Sequence, residues 1–449
     1  MHRAKATFRE FLVAAVASIS GIAMGLALGW PSPMFQKLTE ETLVENPIGY
    51  VIVESEQSWI NSVLAIGGFF GPFVAGYVSD RVGRKPAHLL SSVIHIAGWS
   101  MLLLAKSVPL MIAARFVLGF GNGYILITLT IYIGEIASDE YRGILGSFLQ
   151  IGQTVGILYV YCIGPYVGYY AFQWICCAVP IAFGICFVYM PETPHYLISK
   201  GQHEKALHSL MYLRDATLTN LQQENAFRKL FTYRANQKAI LISFCLLSFQ
   251  QWTGIDCILS NSELIFAKAR ISLYPDISTI IIGTVQVICC IVTLFFVDLV
   301  GRKPVLMYSA VGLSISLALL GVYFVMEPMA IPTEHISWIP LTGMIGFIAI
   351  YNFGFGPVPW AIASEIFAYD VKALGSAINV SVTWILDFLA LRFFLLISES
   401  IGFEWAFWIF ALVCVAAFIF TWLFVIETKG LSLEEIQQRL GGKSTKEAL

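Results

Sequence analysis

The sequence predicts an all-α membrane protein with twelve spanning helices in two six-helix bundles, and three observations carry that expectation. The 449-residue chain is 57% hydrophobic and only 12% charged, too little polar surface for a soluble protein of this size. Apolar runs of about 20 residues, each long enough to cross roughly 30 Å of hydrocarbon as a helix, recur through its length. A charged stretch, Asp80-Arg81-Val82-Gly83-Arg84-Lys85-Pro86, returns 218 positions later as Asp298-Leu299-Val300-Gly301-Arg302-Lys303-Pro304. Each copy fills a short gap between two apolar runs, so the chain is two similar halves.

The first run, Phe11 to Trp30, follows a short basic leader with Arg3, Lys5 and Arg9. It has neither the short apolar core nor the small-residue cleavage site of a secretory signal, and is read as a retained helix. Met34 to Gln57 is polar and acidic and reads as the longest external loop. Helices two to six are expected at 58–79, 87–105, 108–134, 143–163 and 170–190, and helices seven to twelve at 239–266, 277–297, 305–326, 338–363, 372–397 and 403–426. The domains follow: residues 1–190 an N-terminal bundle, 191–238 a polar insert, 239–426 a C-terminal bundle, and 427–449 a tail. Within the insert, EKALHSLMYLRD and LQQENAFRKLF have the spacing of amphipathic helices.

On this threading the leader, both charged gaps, the insert and the tail share one face and hold nearly all the Lys and Arg outside helices. The other face has only Lys37, Lys106, Lys268 and Arg270. The positive-inside rule puts both termini in the cytoplasm. The net charge of −2 sums over two faces that never meet and says nothing of partners. The nine cysteines fall inside apolar runs, Cys257 less clearly than the rest, with no CxxC pair, and read as packing residues. His88 and His95 share a face of helix three, where packing in the bundle outweighs a metal site.

The gaps carry a further expectation. An Asp near Arg and Lys at helix ends can form an ion cluster that latches one helix end to another and favours one conformation. The first half supplies Asp80, Arg84, Glu135 and Arg142, and the second Asp298, Arg302, Glu365 and Lys372. The plainer reading is a tight turn anchored by positive-inside charge, but two copies with matched acidic partners favour gating.

The motifs that complete the picture are DRVGRKP and DLVGRKP, RFVLGFGNGY with YIGEIASDEYRG, PETPHYL at 191–197, QQWTGID at 250–256, GFGPVPWAIASEIF at 354–367 and ETKGLSLEEIQ at 427–437. In that order they resemble the sugar porter family of the major facilitator superfamily, and with ALGWPSP at the end of helix one they are most similar to insect facilitated trehalose transporters. The resemblance implies the major facilitator fold, two bundles rocking about a central sugar site near mid-membrane, with no cofactor.

It also implies a site. Sugar hydroxyls suit uncharged amides, and the ring's apolar face suits an aromatic side chain. Gln150 on helix five, Gln250 and Gln251 on helix seven, Gln286 on helix eight and Trp360 on helix ten match the family's pattern. The bland reading of a membrane Gln is a bond to a neighbouring helix, worth roughly 1 kcal/mol or less, and Trp360 has an alternative as an interfacial anchor. Gly354, Gly356, Pro357 and Pro359 break helix ten and give it a hinge, while Gly119, Gly121 and Gly123 permit close helix packing.

The sequence also departs from the family. Asp256 and Thr383, which precedes Trp384, stand where the family has Asn, and Asn352 stands where many relatives have an acid. Asp387 lies one turn below Trp384. Carboxyl groups within a bundle are costly unless hydrated, paired or protonated, and are functional candidates. Proton-coupled members carry an Asp in helix one; SISGIAMGLALGW has none, so facilitated uniport leads. Coupling through Asp256 or Asp387 stays as an alternative, as does a non-transporting sensor or a porter for another solute. No nucleophile with a base, no HExxH and no acidic metal pair on a loop points to an enzyme. No nucleic-acid surface, metal site or cofactor loop is evident. The expected partners are the sugar and the lipid bilayer, for a plasma-membrane protein working as a monomer.

Overall fold

A computed structural model describes residues 2–39, 46–138, 141–213, 234–269, 273–326, 338–367, 372–429, 431 and 433–441. The described residues lie in helices and in the turns and short irregular segments that join them, with no strand among them. The chain divides into two compact units, Met1–Leu221 and Gln222–Leu449.

In the first unit the elements are α1 (His2–Gly29), α2 (Pro31–Thr39), α3 (Glu54–Val82), α4 (Arg84–Leu104), α5 (Val108–Ile136), α6 (Arg142–Gly146), α7 (Phe148–Ile163), α8 (Tyr169–Phe187), α9 (Pro194–Ser199) and α10 (His203–Leu213). The second unit holds α11 (Arg234–Gln251), α12 (Ile255–Ser260), α13 (Ser262–Lys268), α14 (Pro275–Val300), α15 (Arg302–Met326), α16 (Ile339–Phe353), α17 (Val358–Glu365), α18 (Lys372–Ser400), α19 (Phe403–Phe424) and α20 (Leu433–Arg439).

Among the described residues eleven helical stretches are long and apolar enough to cross a membrane. The expected twelfth, residues 239–266, is not one helix. It is divided among α11, α12 and α13: Gly254 adopts a left-handed conformation with φ +84° that breaks the helical ladder after α11, and Asn261, with φ −117°, separates α12 from α13. A second expectation changes too. The loop assigned to 34–57 is helical at both ends, since α2 runs to Thr39 and α3 starts at Glu54. Met34, Phe35 and Leu38 bury one face of α2, and Lys37 Nζ donates to the Val167 carbonyl at 2.7 Å. The leader before Phe11 joins α1 instead of preceding it. In the insert α10 covers most of the first amphipathic segment, while the second lies outside the described residues.

Packing in the first unit places α3 against α5, α1 against α7, and α4 between α5 and α8. Gly119 and Gly123 stand against the α3 backbone, while Gly121 faces the His95 ring of α4. His88 joins three helices, approaching Ser20 Oγ of α1 at 3.2 Å and Thr128 Oγ1 of α5 at 2.8 Å. His95 takes a different partner, Asn122 Oδ1 at 3.1 Å. Arg115 is buried in α5, where it donates to the carbonyls of Ile60 and Ala27 and lies over the Trp30 ring. All nine cysteines carry free thiols.

In the second unit α15 packs on α16 and α19, α14 on α16, and α11 on α17 and α18. The Asn379 amide is buried and donates to Ser243 Oγ at 2.8 Å, tying α18 to α11.

Candidate functional site: helix-end clamps and a polar cluster at two helix breaks

The two charged gaps fold alike. Gly83 and Gly301 join α3 to α4 and α14 to α15 with φ +121° and +110°, a backbone that side chains rarely adopt. A glutamate from beyond the sixth or twelfth span then caps the helix that follows. Glu192 accepts the backbone N–H groups of Arg84 at 3.2 Å and Lys85 at 3.1 Å. Glu427 accepts those of Arg302 and Lys303, both at 3.0 Å. These are the orphan donors of a helix N-terminus, where a carboxylate is favoured.

A second layer is repeated as well. Arg84 Nε donates to Glu135 Oε1 at 3.0 Å, and Arg302 donates to Glu365 Oε1 at 3.1 Å. The other oxygen of each acid accepts a threonine hydroxyl, Thr193 on Glu135 at 2.5 Å and Thr428 on Glu365 at 2.6 Å. Each threonine follows the capping glutamate, so one Glu-Thr dipeptide closes both layers of each clamp. Arg84 also reaches Asp80 at 3.1 Å, the Ser79 carbonyl at 2.9 Å and the face of Tyr196.

Five expected gating residues therefore sit in clamps: Asp80, Arg84, Glu135, Arg302 and Glu365. The side chains of Arg142 and Asp298 lie outside the described residues. Glu192, Thr193, Glu427 and Thr428 were not assigned this role from sequence, although PETPHYL and ETKGLSLEEIQ contained the signal, a Glu-Thr pair ending each half's last span.

The clamps differ electrostatically. Burial pushes the Glu192 carboxyl above the ordinary 4.5, outweighing its N–H bonds from Thr193, Lys85 and Arg84, and the charge of Glu135 adds to the rise. Burial also raises Glu427, but bonds from Lys429, Arg302, Lys303 and Thr428 together outweigh it, and its net shift is downward. A raised carboxyl is protonated more readily folded than unfolded, so its contribution improves as pH falls through its folded value. A lowered one contributes above the unfolded value, roughly 4.3, and that contribution is lost as pH falls through the folded value. Hydrogen exchange on acidification from about pH 5 to about pH 3 is expected to expose the Arg302 and Lys303 amides before those of Arg84 and Lys85. Equal loss in both peptides would contradict it.

The second feature lies where α11 ends and the α16–α17 pair is broken. After Phe353 the chain leaves the helix for four residues before Val358, and three helices answer the freed backbone groups. Gln250 Nε2 donates to the Gly356 carbonyl at 2.7 Å. Thr293 Oγ1 donates to the Asn352 carbonyl at 3.0 Å. Ser309 Oγ donates to Ile350 and accepts the Phe355 N–H. Irregular backbone at membrane depth needs such partners.

Beside that anchor, Gln251 Nε2 donates to Asp256 Oδ2 at 3.2 Å. The Asp256 carboxyl lies within hydrogen-bond reach of Asp387 on α18, and Tyr351 of α16 lies within hydrogen-bond reach of Gln250 and near both acids. The structure thus brings Gln250, Gln251 and Asp256 together. Gln286 is buried, and so are Trp384, Thr383 and Asn352, while Gln150 and Trp360 are half-buried. Thr383 and Asn352 turn their side chains to their own helix, donating to the Asn379 and Ile348 carbonyls at 2.8 Å each. Gln150 belongs to the other unit.

The family model for "Sugar (and other) transporter" matches residues 13–440. This chain belongs to the sugar transporter family. Among curated relatives of this transporter, the facilitated trehalose transporter Tret1 of Culex quinquefasciatus is 28% identical, over 98% of this chain and 87% of that protein. The Bombyx mori protein of the same name is 29% identical, over 96% and 86%. Among solved structures, the proton:xylose symporter XylE bound to 6-bromo-6-deoxy-D-glucose superposes with TM-score 0.77, 24% identity and coverage of 97% of this chain and 99% of that one. A partially occluded, inward-open XylE from E. coli gives 0.78 at 24% identity, covering 94% and 99%. The transporter therefore has the major facilitator fold expected from its sequence, with the seventh span broken.

The clamp glycines of the transporter give a direct test. A Cβ on Gly83 would lie 2.5 Å from Glu192 Oε2, and one on Gly301 would lie 3.0 Å from Glu427 Oε2. Gly83→Ala is expected to cost about 2 kcal/mol through backbone strain and displacement of the cap, read as a lower thermal midpoint of the purified protein. Gly301→Ala should cost somewhat less, because its contact is looser.

Proposed function

We propose that this chain is a facilitative carrier of trehalose or a hexose, working by alternating access in the plasma membrane as a monomer, with both termini cytoplasmic. The observation that carries this reading is a pair of buried amide oxygens, Gln250 Oε1 and Gln286 Oε1, that meet no hydrogen-bond donor among the described residues. A buried acceptor without a donor costs free energy, and a sugar hydroxyl supplies the missing donor. The curated relatives, matched nearly end to end, bear the name of facilitated trehalose transporters, which supports the cargo. Asp256, Asn352, Trp360, Thr383, Trp384, Gln150 and Gln251 are proposed as further substrate contacts. Arg142 and Asp298 are proposed as further clamp members.

Alternating access gives the clamps a purpose. Each ties the ends of successive spans within its own unit, so a unit moves as a rigid body. The hinge for local gating is the α16–α17 break, whose backbone is already detached from the helical ladder.

The test is uptake of labelled trehalose and glucose by proteoliposomes containing the purified protein. Saturable uptake that equilibrates without accumulation is the expected result. Accumulation of sugar driven by a proton gradient would replace uniport with symport. Absence of uptake of either sugar by a folded protein would remove the cargo assignment.

A further inference from the structure

The second unit contains two acids that meet. Asp256, from the short helix after the Gly254 break, and Asp387, from the middle of α18, stand within hydrogen-bond reach of each other. Asp387 is 1% exposed, and its Oδ2 meets no donor among the described residues. Gln251 holds Asp256 from one side through a 3.2 Å bond to Oδ2. Among the described residues, the groups bearing on the two acids are each other and Gln251, with Tyr351 of α16 and Cys257 of α12 nearby; none of these is a cation.

Two carboxylates so placed cannot both carry charge. Like charges at hydrogen-bond distance repel strongly in a low-dielectric interior, and without a cation the remedy is a proton between them. With one proton, one acid donates to the other and the orphaned oxygen is satisfied. The pair then titrates as a unit. It is also wired to the proposed substrate contacts: Gln251 bonds Asp256, and Tyr351, near both acids, bonds Gln250, whose amide pins the Gly356 carbonyl at the hinge.

We propose that Asp256 and Asp387 form a single-proton site inside the second unit, and that release of the shared proton to water at alkaline pH disables the neighbouring Gln250–Gln251 contacts. The proton is a resident of the site at neutral pH. Its loss leaves two negative charges that push α12 and α18 apart, drawing Gln251 with Asp256. Asp387→Asn reproduces the singly protonated state, since its amide donates to Asp256 as the shared proton does.

The first measurement needs no substrate. Infrared spectra of the purified wild-type protein should show a protonated carboxyl C=O band at neutral pH that disappears on alkaline titration and is missing from Asp387→Asn. Identical spectra for the two proteins would overturn the proposal, whatever the cargo. The second rests on the sugar-carrier reading. Wild-type uptake should fall severalfold between about pH 6 and about pH 9, and uptake by Asp387→Asn should stay level over that range. Parallel profiles for the two proteins, or a profile that follows sodium instead of pH, would also overturn it. Should Asp387→Asn not fold, the wild-type infrared titration decides by itself. A carrier that moves neither sugar but shows the carboxyl band would leave the proton site standing and remove only its link to sugar.

Discussion

Replacing Gln250 with alanine is expected to reduce sugar uptake by about 5- to 150-fold, the equivalent of about 1–3 kcal/mol for a buried polar group left without its partner. Two losses coincide at this residue. The Gly356 carbonyl gives up its 2.7 Å donor at a place where the α16–α17 backbone has no helical alternative. The buried Oε1, the proposed acceptor of a sugar hydroxyl, disappears with the side chain. Gln250→Glu separates the two roles, because a carboxylate retains an acceptor but sets oxygen against the Gly356 carbonyl. Uptake kinetics beside thermal denaturation of both variants checks this. Alanine with wild-type uptake would remove Gln250 from the site, and a glutamate variant as active as wild type would remove the hinge anchor.

Arg84→Ala is the second large effect expected. One guanidinium joins the end of α3, through the Ser79 carbonyl and Asp80, to the end of α5, through Glu135, while covering the Tyr196 ring of α9. Breaking a buried ion pair costs about 3–5 kcal/mol, and a solvated one about 0–1. The Arg84 side chain is 16% exposed and Glu135 18%, which places the loss near 2 kcal/mol. Arg84→Lys should recover only part of it, since an ammonium cannot reach carboxylate and carbonyl in the fork geometry of a guanidinium. The checks are the thermal midpoint and hydrogen exchange in the Ser79–Pro86 peptide. A lysine variant as stable as wild type would show that charge alone holds the clamp.

Most of the fold was legible because the bilayer leaves the backbone few choices. A stretch of apolar residues about 20 long has to be helical to satisfy its own polar groups, so composition and run length suffice for most spans. The seventh span was harder. Its apolar pattern looks continuous, and the break depends on the left-handed turn at Gly254, one glycine among the chain's 36. The helical part of the expected loop, α2 to Thr39, was missed because apolar and polar residues are balanced in its short sequence, while its buried face is set by contacts with neighbouring helices.

The clamps were legible in part. Repetition pointed to Arg84, Glu135, Arg302 and Glu365, because a charged motif that occurs twice in an apolar chain stands out. Their closing residues did not, because Glu192 lies 108 positions from Arg84 and Glu427 lies 125 from Arg302, distances over which no local pattern operates. Asp256 and Asp387 were singled out individually as costly acids, and nothing in the sequence said that they meet.

The sequence by itself thus determined a membrane-embedded, two-fold repeated helical chain, its charged gaps and the polar residues that stand out against the hydrocarbon. These depend on composition, run length and repetition, which are properties of the chain read in order. Only the tertiary structure decided which glutamate caps which helix, which amide answers the broken backbone of the hinge, and that two acids 131 positions apart share one place. Such pairings are settled by packing distances of a few ångströms between remote segments, and a linear pattern carries no record of them.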